Sequence, residues 1–365
     1  MNRKTNNKKI EIIKNNIEKI NFEISAIKKS MSIKKKSDTQ NFKFILFKGK
    51  EGFGDRLQCL LQAIKYALAT NRILIIDWRD EDWSHDINQP IDTYFELKGV
   101  KNMYIKDFLE IWGKEKNSLT IYPIAWKDCI ENPDCDSLLE NPVFHLPNQA
   151  KCIEDISINK IKDFDEDIIV YPGIQHRTFD TQYLQCIDIS DFVKKKILTF
   201  SRKYSLISKE YDVIHLRGGS KKWMGGQLPH NSLVKESHNK WNNANEYIDF
   251  LYKKYISETK KQEKLPLLLI SDTCKLISLW EEKYNIGKRV PNIVSHKLNE
   301  SGIHKLKKKD IIKTKNISKI EINFECIRDF ILMLNSRILI GDEVSLYSNM
   351  ALLAKSINIQ LVDFK

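Results

Sequence analysis

The stretch Tyr211-Asp212-Val213-Ile214-His215-Leu216-Arg217-Gly218-Gly219-Ser220 decides the fold. An apolar, β-branched run ends abruptly in a histidine, an arginine and two glycines. A buried parallel strand has this form where it delivers polar groups to its C-terminal edge. In open α/β sheets ligands bind at those edges. The arginine offers a planar fork of donors suited to phosphate, and the glycines let a backbone approach a ligand closely. The segment reads as an anion site.

The same rhythm extends on both sides. Downstream, Trp241 to Ser257 reads as a helix, Leu267 to Ser271 as a strand ending at Asp272, and Lys275 to Tyr284 as another helix. Phe324 to Leu334 is a helix, Ile338 to Ile340 a strand, and Leu346 to Ser356 a final helix. Upstream, Phe42 to Phe47 is a strand, followed by a loop containing Gly49, Gly52 and Gly54. Arg56 to Thr70 is a helix with an apolar stripe, and Ile73 to Ile76 is a strand ending at Asp77-Trp78-Arg79-Asp80. Two successive α/β series predict two Rossmann-like domains facing across a cleft, residues 41–205 and 206–365.

Residues 1–40 form a separate segment, a basic heptad helix and linker. Ile10, Ile13, Ile17, Ile20, Ile24, Ile27 and Met31 recur at alternating spacings of three and four. Lysines crowd the other faces. A peripheral membrane helix, a self-associating coiled coil through residues 8–36, and a helix packed on the protein's own body all account for this pattern. The tail supplies much of the net charge of +12, so the body is only mildly basic and no nucleic-acid surface is inferred. The seven cysteines are odd in number and form no CxxC pair. They read as reduced thiols of a cytoplasmic protein, without a disulfide framework or zinc site. No apolar run has the length of a membrane span.

Three strand ends in the second half carry polar groups: His215 with Arg217, Asp272, and Gly341-Asp342-Glu343-Val344-Ser345. In a parallel sheet they converge on one edge. Arg217 suits a phosphate, and Asp272 suits a base amine or a ribose hydroxyl. Ser345 opens the last helix, where free N–H groups favour an anion. The ensemble fits a nucleoside diphosphate. Taken singly, Ser345 is an ordinary N-cap, Asp272 a turn residue and His215 a core histidine. Asp80-Glu81-Asp82 reads as a solvated loop, and no metal is expected.

Set together, these motifs resemble a known family. Gly52-Phe53-Gly54-Asp55-Arg56-Leu57, with the helix and Arg72-Ile73-Leu74-Ile75-Ile76-Asp77-Trp78-Arg79 after it, is similar to the N-terminal motif of rhizobial nodulation α1,6-fucosyltransferases. It also resembles the GFGN motif of protein O-fucosyltransferases. His215-Leu216-Arg217-Gly218-Gly219-Ser220 resembles their HxR motif, and Leu268-Leu269-Ile270-Ser271-Asp272 their strand ending in Ser/Thr-Asp. Ser345-Leu346-Tyr347-Ser348-Asn349-Met350-Ala351 is similar to the SxFSxxA segment shared with α1,2-fucosyltransferases.

The resemblance implies a GT-B-type fold and an inverting, metal-independent transferase. Its donor would be GDP-fucose, or another GDP-sugar such as a GDP-heptose, and its acceptor a glycan or polysaccharide. Arg217 would hold the β-phosphate and stabilise the departing diphosphate, with Gly218 beside it. His215 would contact the donor or orient Arg217, and Asp272 would contact guanine. Ser345, Leu346 and Ser348 would meet the phosphates. Gly52, Gly54 and Asp55 would form the wall near sugar and acceptor. Asp55, Glu51 and Asp80 are the candidate bases. The α1,6 branch carries a second arginine where this chain has Gly218, which leaves the phosphate role to one arginine. A different class, an inactive nucleotide- or glycan-binding module assembling through the N-terminal coiled coil, is the alternative.

Overall fold

A computed structural model of the chain describes residues 42–49, 52–80, 83, 93–132, 163–172, 180–218, 241–292, 318–342 and 345–364. The heptad segment, Glu51, Glu81, Asp82, the loop after Gly218 and most of the lysine-rich stretch after Pro291 lie outside the described residues. The chain divides into two compact units. One contains Asp55–Ser190 and the residues before Gly52; the other contains Gly52–Gly54 and Asp191–Lys365.

The first unit is built on a parallel sheet of β1 (Phe44–Lys48), β2 (Ile73–Asp77), β4 (Asn102–Met103), β5 (Ile121–Tyr122) and β6 (Ile168–Pro172), in the order β4-β2-β1-β6-β5. All residues of β1, β2 and β6 are buried, which is why they read as continuous apolar runs. Alternate residues Phe44, Leu46, Ile73, Ile75, Ile168 and Val170 join Phe108 and Trp112 of helix α2 (Ile105–Glu115) in one core cluster. A small antiparallel pair, β3 (Phe95–Leu97) with β7 (Ile187–Ile189), completes this unit.

Helix α1 (Phe53–Thr70) begins earlier than the sequence pattern predicts. Gly54 and Asp55 therefore sit in its first turn, where the carboxylate of Asp55 meets the positive end of the helix dipole.

The second unit holds the sheet β10-β9-β8-β11, also parallel throughout. Its strands are β8 (Asp212–Leu216), β9 (Leu267–Ser271), β10 (Lys288–Arg289) and β11 (Leu339–Ile340). Ile214, Leu216, Leu267, Leu269 and Ile340 pack with Tyr247, Ile248 and Leu251 of α4 (Ala244–Thr259) and Leu276, Ile277 and Trp280 of α5 (Cys274–Tyr284). Asp212 fixes the entry to the sheet. Its buried carboxylate accepts from Arg337 Nε at 3.0 Å, Arg337 Nη2 at 2.7 Å and the Ile338 N–H at 3.2 Å, which ties β11 to β8.

Helix α6 (Lys319–Asn335) also starts before the expected residue, because the Ser318 hydroxyl caps it by accepting from the Glu321 N–H at 3.2 Å. Helix α3 (Asp191–Lys203) belongs to this unit. The guanidinium of Arg328 on α6 lies 4.6 Å from the Phe200 ring centroid, and Lys196 Nζ lies 5.0 Å from that of Phe324. The last helix, α7, spans Leu346–Ser356, the predicted bounds.

Gly49 shows why one loop position excludes a side chain. A Cβ there would lie 2.2 Å from the Trp78 indole, whose ring is buried against β1 and also meets Phe47. We predict that Gly49→Ala lowers stability by about 1–3 kcal/mol, the usual cost of overpacking. Urea unfolding should show a lower midpoint with an unchanged m-value.

Candidate active site

The parallel register of the second sheet sets Leu216 beside Ser271 and Ile214 beside Ile340. The residues that follow, Arg217, Asp272 and Gly341-Asp342, thus leave adjacent strands at one edge. The Ser271 hydroxyl locks two of these ends together by donating to the Leu216 carbonyl at 2.7 Å.

Asp272 does more than stand beside Arg217. One carboxylate oxygen pairs with Arg217 Nη1, and the other accepts from the Gly218 N–H at 2.8 Å. A single carboxylate therefore fixes both the guanidinium and the turn that carries it. A third restraint is Tyr247 of α4. The Arg217 N–H donates to its hydroxyl oxygen at 3.0 Å. Burial holds that hydroxyl well above its ordinary pKa, so it stays neutral. The Arg217 side chain is 24% exposed, enough to meet a ligand, while Tyr247 is wholly buried.

Gly218 has its own reason. A Cβ there would lie 2.4 Å from Thr273 Cγ2 and 3.2 Å from Leu276 Cδ1. Position 218 has no room for the second arginine of the α1,6 pattern unless Thr273, the N-cap of α5, moves.

His215 lies beneath this turn, and its ring meets that of Tyr347 edge-on, with centroids 5.3 Å apart. Burial pushes its pKa down to about 4, against the opposing pull of Asp272 and Asp342. It is a neutral core imidazole at physiological pH. Among the described residues its Nδ1 has no hydrogen-bond partner.

At the third strand end, Ser345 does not act as an ordinary N-cap. Its side chain makes no capping hydrogen bond to α7. Instead the Ser345 N–H donates to the Asp342 carbonyl at 3.0 Å, and the Ser348 hydroxyl donates to the same carbonyl at 2.9 Å. Gly341 permits this turn, since a Cβ there would lie 2.8 Å from Ser348 Cβ. The Ser348 hydroxyl is thus engaged in shaping the turn. Leu346 opens that helix.

Gly52 and Gly54 flank Phe53, whose ring meets Phe330 at 5.5 Å and Tyr347 at 6.1 Å between centroids. The glycine motif is thereby joined to the helix that follows the third strand end. Asp55 belongs to the first unit and is half-buried. Asp80 departs from the expected solvated loop. It is buried and accepts from Arg56 Nη2 at 2.5 Å, with the Arg56 guanidinium 5.6 and 5.7 Å from the Trp78 and Trp83 ring centroids. Its neighbour Trp83 is buried as well, so this corner is a packed ion pair and a poor source of a free base. Among the described residues no group of three or more His, Cys, Asp or Glu side chains could hold a metal ion. No helix among them is long and apolar enough to cross a membrane.

Solved structures share this architecture. The NodZ α-1,6-fucosyltransferase soaked with GDP-fucose matches with a TM-score of 0.57 over 86% of this chain and 92% of its own, at 15% identity. NodZ from Bradyrhizobium in its Se-Met form gives the same values. POFUT1 in complex with GDP-fucose matches with a TM-score of 0.52 over 88% of this chain and 97% of its own, at 11% identity.

The chain has the fold of these fucosyltransferases. No protein-family model matches the sequence, and no curated protein does either. The GT-B-type α/β fold expected from the motifs is therefore the fold observed, at identities that leave little sequence signal outside them. Tyr247 and Thr273 escaped the motif reading because each looks like an ordinary core or cap residue along the chain.

The neutral His215 carries a pH signature. Its proton affinity is lower in the folded than in the unfolded state, so the unfolded chain takes up the proton first as pH falls. Stability should hold above pH 6.5 and decline from there to about pH 4, by up to about 3 kcal/mol from this group. Urea midpoints measured from pH 7.5 to 4 should show a shallower acid limb in His215→Gln than in the parent chain.

Proposed function

We propose that this chain is an inverting glycosyltransferase that moves fucose from GDP-fucose to a glycan acceptor. The observation that carries the reading is Arg217, part-exposed at a parallel sheet edge and held at its side chain and both flanking amides by Asp272 and Tyr247. The fold, shared with proteins solved with GDP and GDP-fucose, supports it.

The chemistry follows from the leaving group. The acceptor hydroxyl attacks the anomeric carbon as its bond to the diphosphate oxygen breaks. Negative charge gathers on the β-phosphate. A guanidinium fixed beforehand needs no reorganisation to meet that charge. Arg217 acts there, with the start of α7 at Ser345 and Leu346 as the second positive element. Asp272, with both oxygens engaged by Arg217 and Gly218, serves as the holder of the arginine, and Ser348 shapes the turn. Gly52 and Gly54 let the first loop approach the sugar. Asp55, at the start of α1, takes the proton from the acceptor hydroxyl. The basic heptad segment, residues 8–36, anchors the enzyme at the cytoplasmic face of a membrane.

Arg217→Ala should abolish transfer from GDP-fucose, by at least about a hundredfold in kcat/KM, with circular dichroism unchanged. Arg217→Lys should remain strongly impaired, because a point charge does not replace the fork. Tyr247→Phe should fold normally and lose about tenfold in kcat with a smaller change in donor KM, as expected for a group that acts through Arg217. Near-normal turnover by Arg217→Ala would exclude this mechanism.

A further inference from the structure

The C-terminal edge of the first sheet carries charge that the donor site does not use. Lys48 ends β1 and Asp77 ends β2, side by side in the parallel register. Lys48 Nζ donates to Asp77 Oδ2 at 2.9 Å and to the Asn132 carbonyl at 2.8 Å. Arg79 grips the same carboxylate: Nε donates to Oδ1 at 2.7 Å, and Nη2 to Oδ2 at 3.0 Å. Nη2 also lies 3.3 Å from the Glu131 carbonyl.

Two cations therefore share one carboxylate. Burial opposes ionisation of Asp77, yet Lys48 and Arg79 together hold its carboxyl below the usual range, so among the described residues the cluster is one positive charge in surplus. Side-chain exposure is 0% for Lys48 and 1% for Asp77, but 12% for Arg79. An unbalanced charge in so buried a cluster is costly without a counter-ion. Lys48 alone already neutralises Asp77, so ion pairing by itself does not call for a second cation. Among the described residues Arg79 Nη1 has no acceptor, and Arg79 is the member of the cluster that solvent reaches.

We infer that Arg79 forms an anion-binding subsite for a carboxylate or phosphate group on the acceptor glycan. Its Nη1 can donate a charge-assisted hydrogen bond to either group, while Asp77 holds Nε and Nη2 and sets the orientation of the guanidinium from below. The place, at the ends of β1 and β2, is where parallel sheets receive ligands. The assignment to the acceptor rests on the transferase reading, whereas anion binding itself does not.

The test uses the full chain, with and without saturating GDP, and reads the thermal midpoint at constant ionic strength. The probes are methyl β-D-glucuronide, its uncharged counterpart methyl β-D-glucoside, and inorganic phosphate. The glucuronide or phosphate should raise the midpoint while the glucoside does not, and Arg79→Gln should remove the rise. A response to glucuronide points to a sugar acid, and a response to phosphate alone to a phosphorylated acceptor. Arg79→Gln leaves Lys48–Asp77 balanced; should it nevertheless fail to fold, Arg79→Lys should bind the anion at least threefold more weakly than the parent. An undiminished rise in Arg79→Gln, equal affinity in Arg79→Lys, or no rise in the parent chain would overturn the proposal. Absence of any GDP effect, by contrast, would count against the donor reading alone.

Discussion

One carboxylate organises the second unit's sheet edge. Asp272 receives the Arg217 guanidinium on one oxygen and the Gly218 amide on the other. It can do so only because β8 and β9 are parallel neighbours in a register that ends both strands together. The Ser271 hydroxyl bond to Leu216, the absence of a side chain at position 218 and the buried Tyr247 hydroxyl each depend on that same alignment. A guanidinium held in this way presents its charge in a fixed direction, which a flexible surface arginine does not.

The two units solve a similar problem with different charge balances. In both, polar residues leave adjacent parallel strands at the C-terminal edge. At the second sheet, Arg217 is paired with Asp272, and a second carboxylate, Asp342, stands at the third strand end. At the first, Lys48 and Arg79 outnumber Asp77. A polar sheet edge is thus assembled from covalently distant residues, with the buried apolar runs below serving mainly to set the register.

Much of this was legible along the chain. The strand Leu267–Ser271 and the helix Leu346–Ser356 fall where the apolar runs and stripes place them, because a parallel strand buried on both faces leaves an uninterrupted signature. Helix starts were less legible. Phe53 reads as loop because glycines surround it, and the start at Lys319 is hidden in a lysine-rich stretch although Ser318 and Glu321 form a capping pair. The choice of partner for Asp272 was not legible, since it joins residues more than fifty positions apart through strand pairing. Nor was the ion pair of Asp80, which looks like a solvated acid until Arg56 and two tryptophans close around it. Residue type and spacing marked the strand ends; the division of labour among them needed three dimensions.

The central claim is that the edge built on Arg217 and Asp272 binds a guanosine diphosphate. Calorimetric titration of the parent chain and Arg217→Ala with GDP, UDP and ADP tests it most directly. The account predicts binding of GDP in preference to UDP and ADP, with an affinity at least tenfold weaker in Arg217→Ala. Equal binding of all three nucleotides, or GDP binding that Arg217→Ala leaves unchanged, would contradict it.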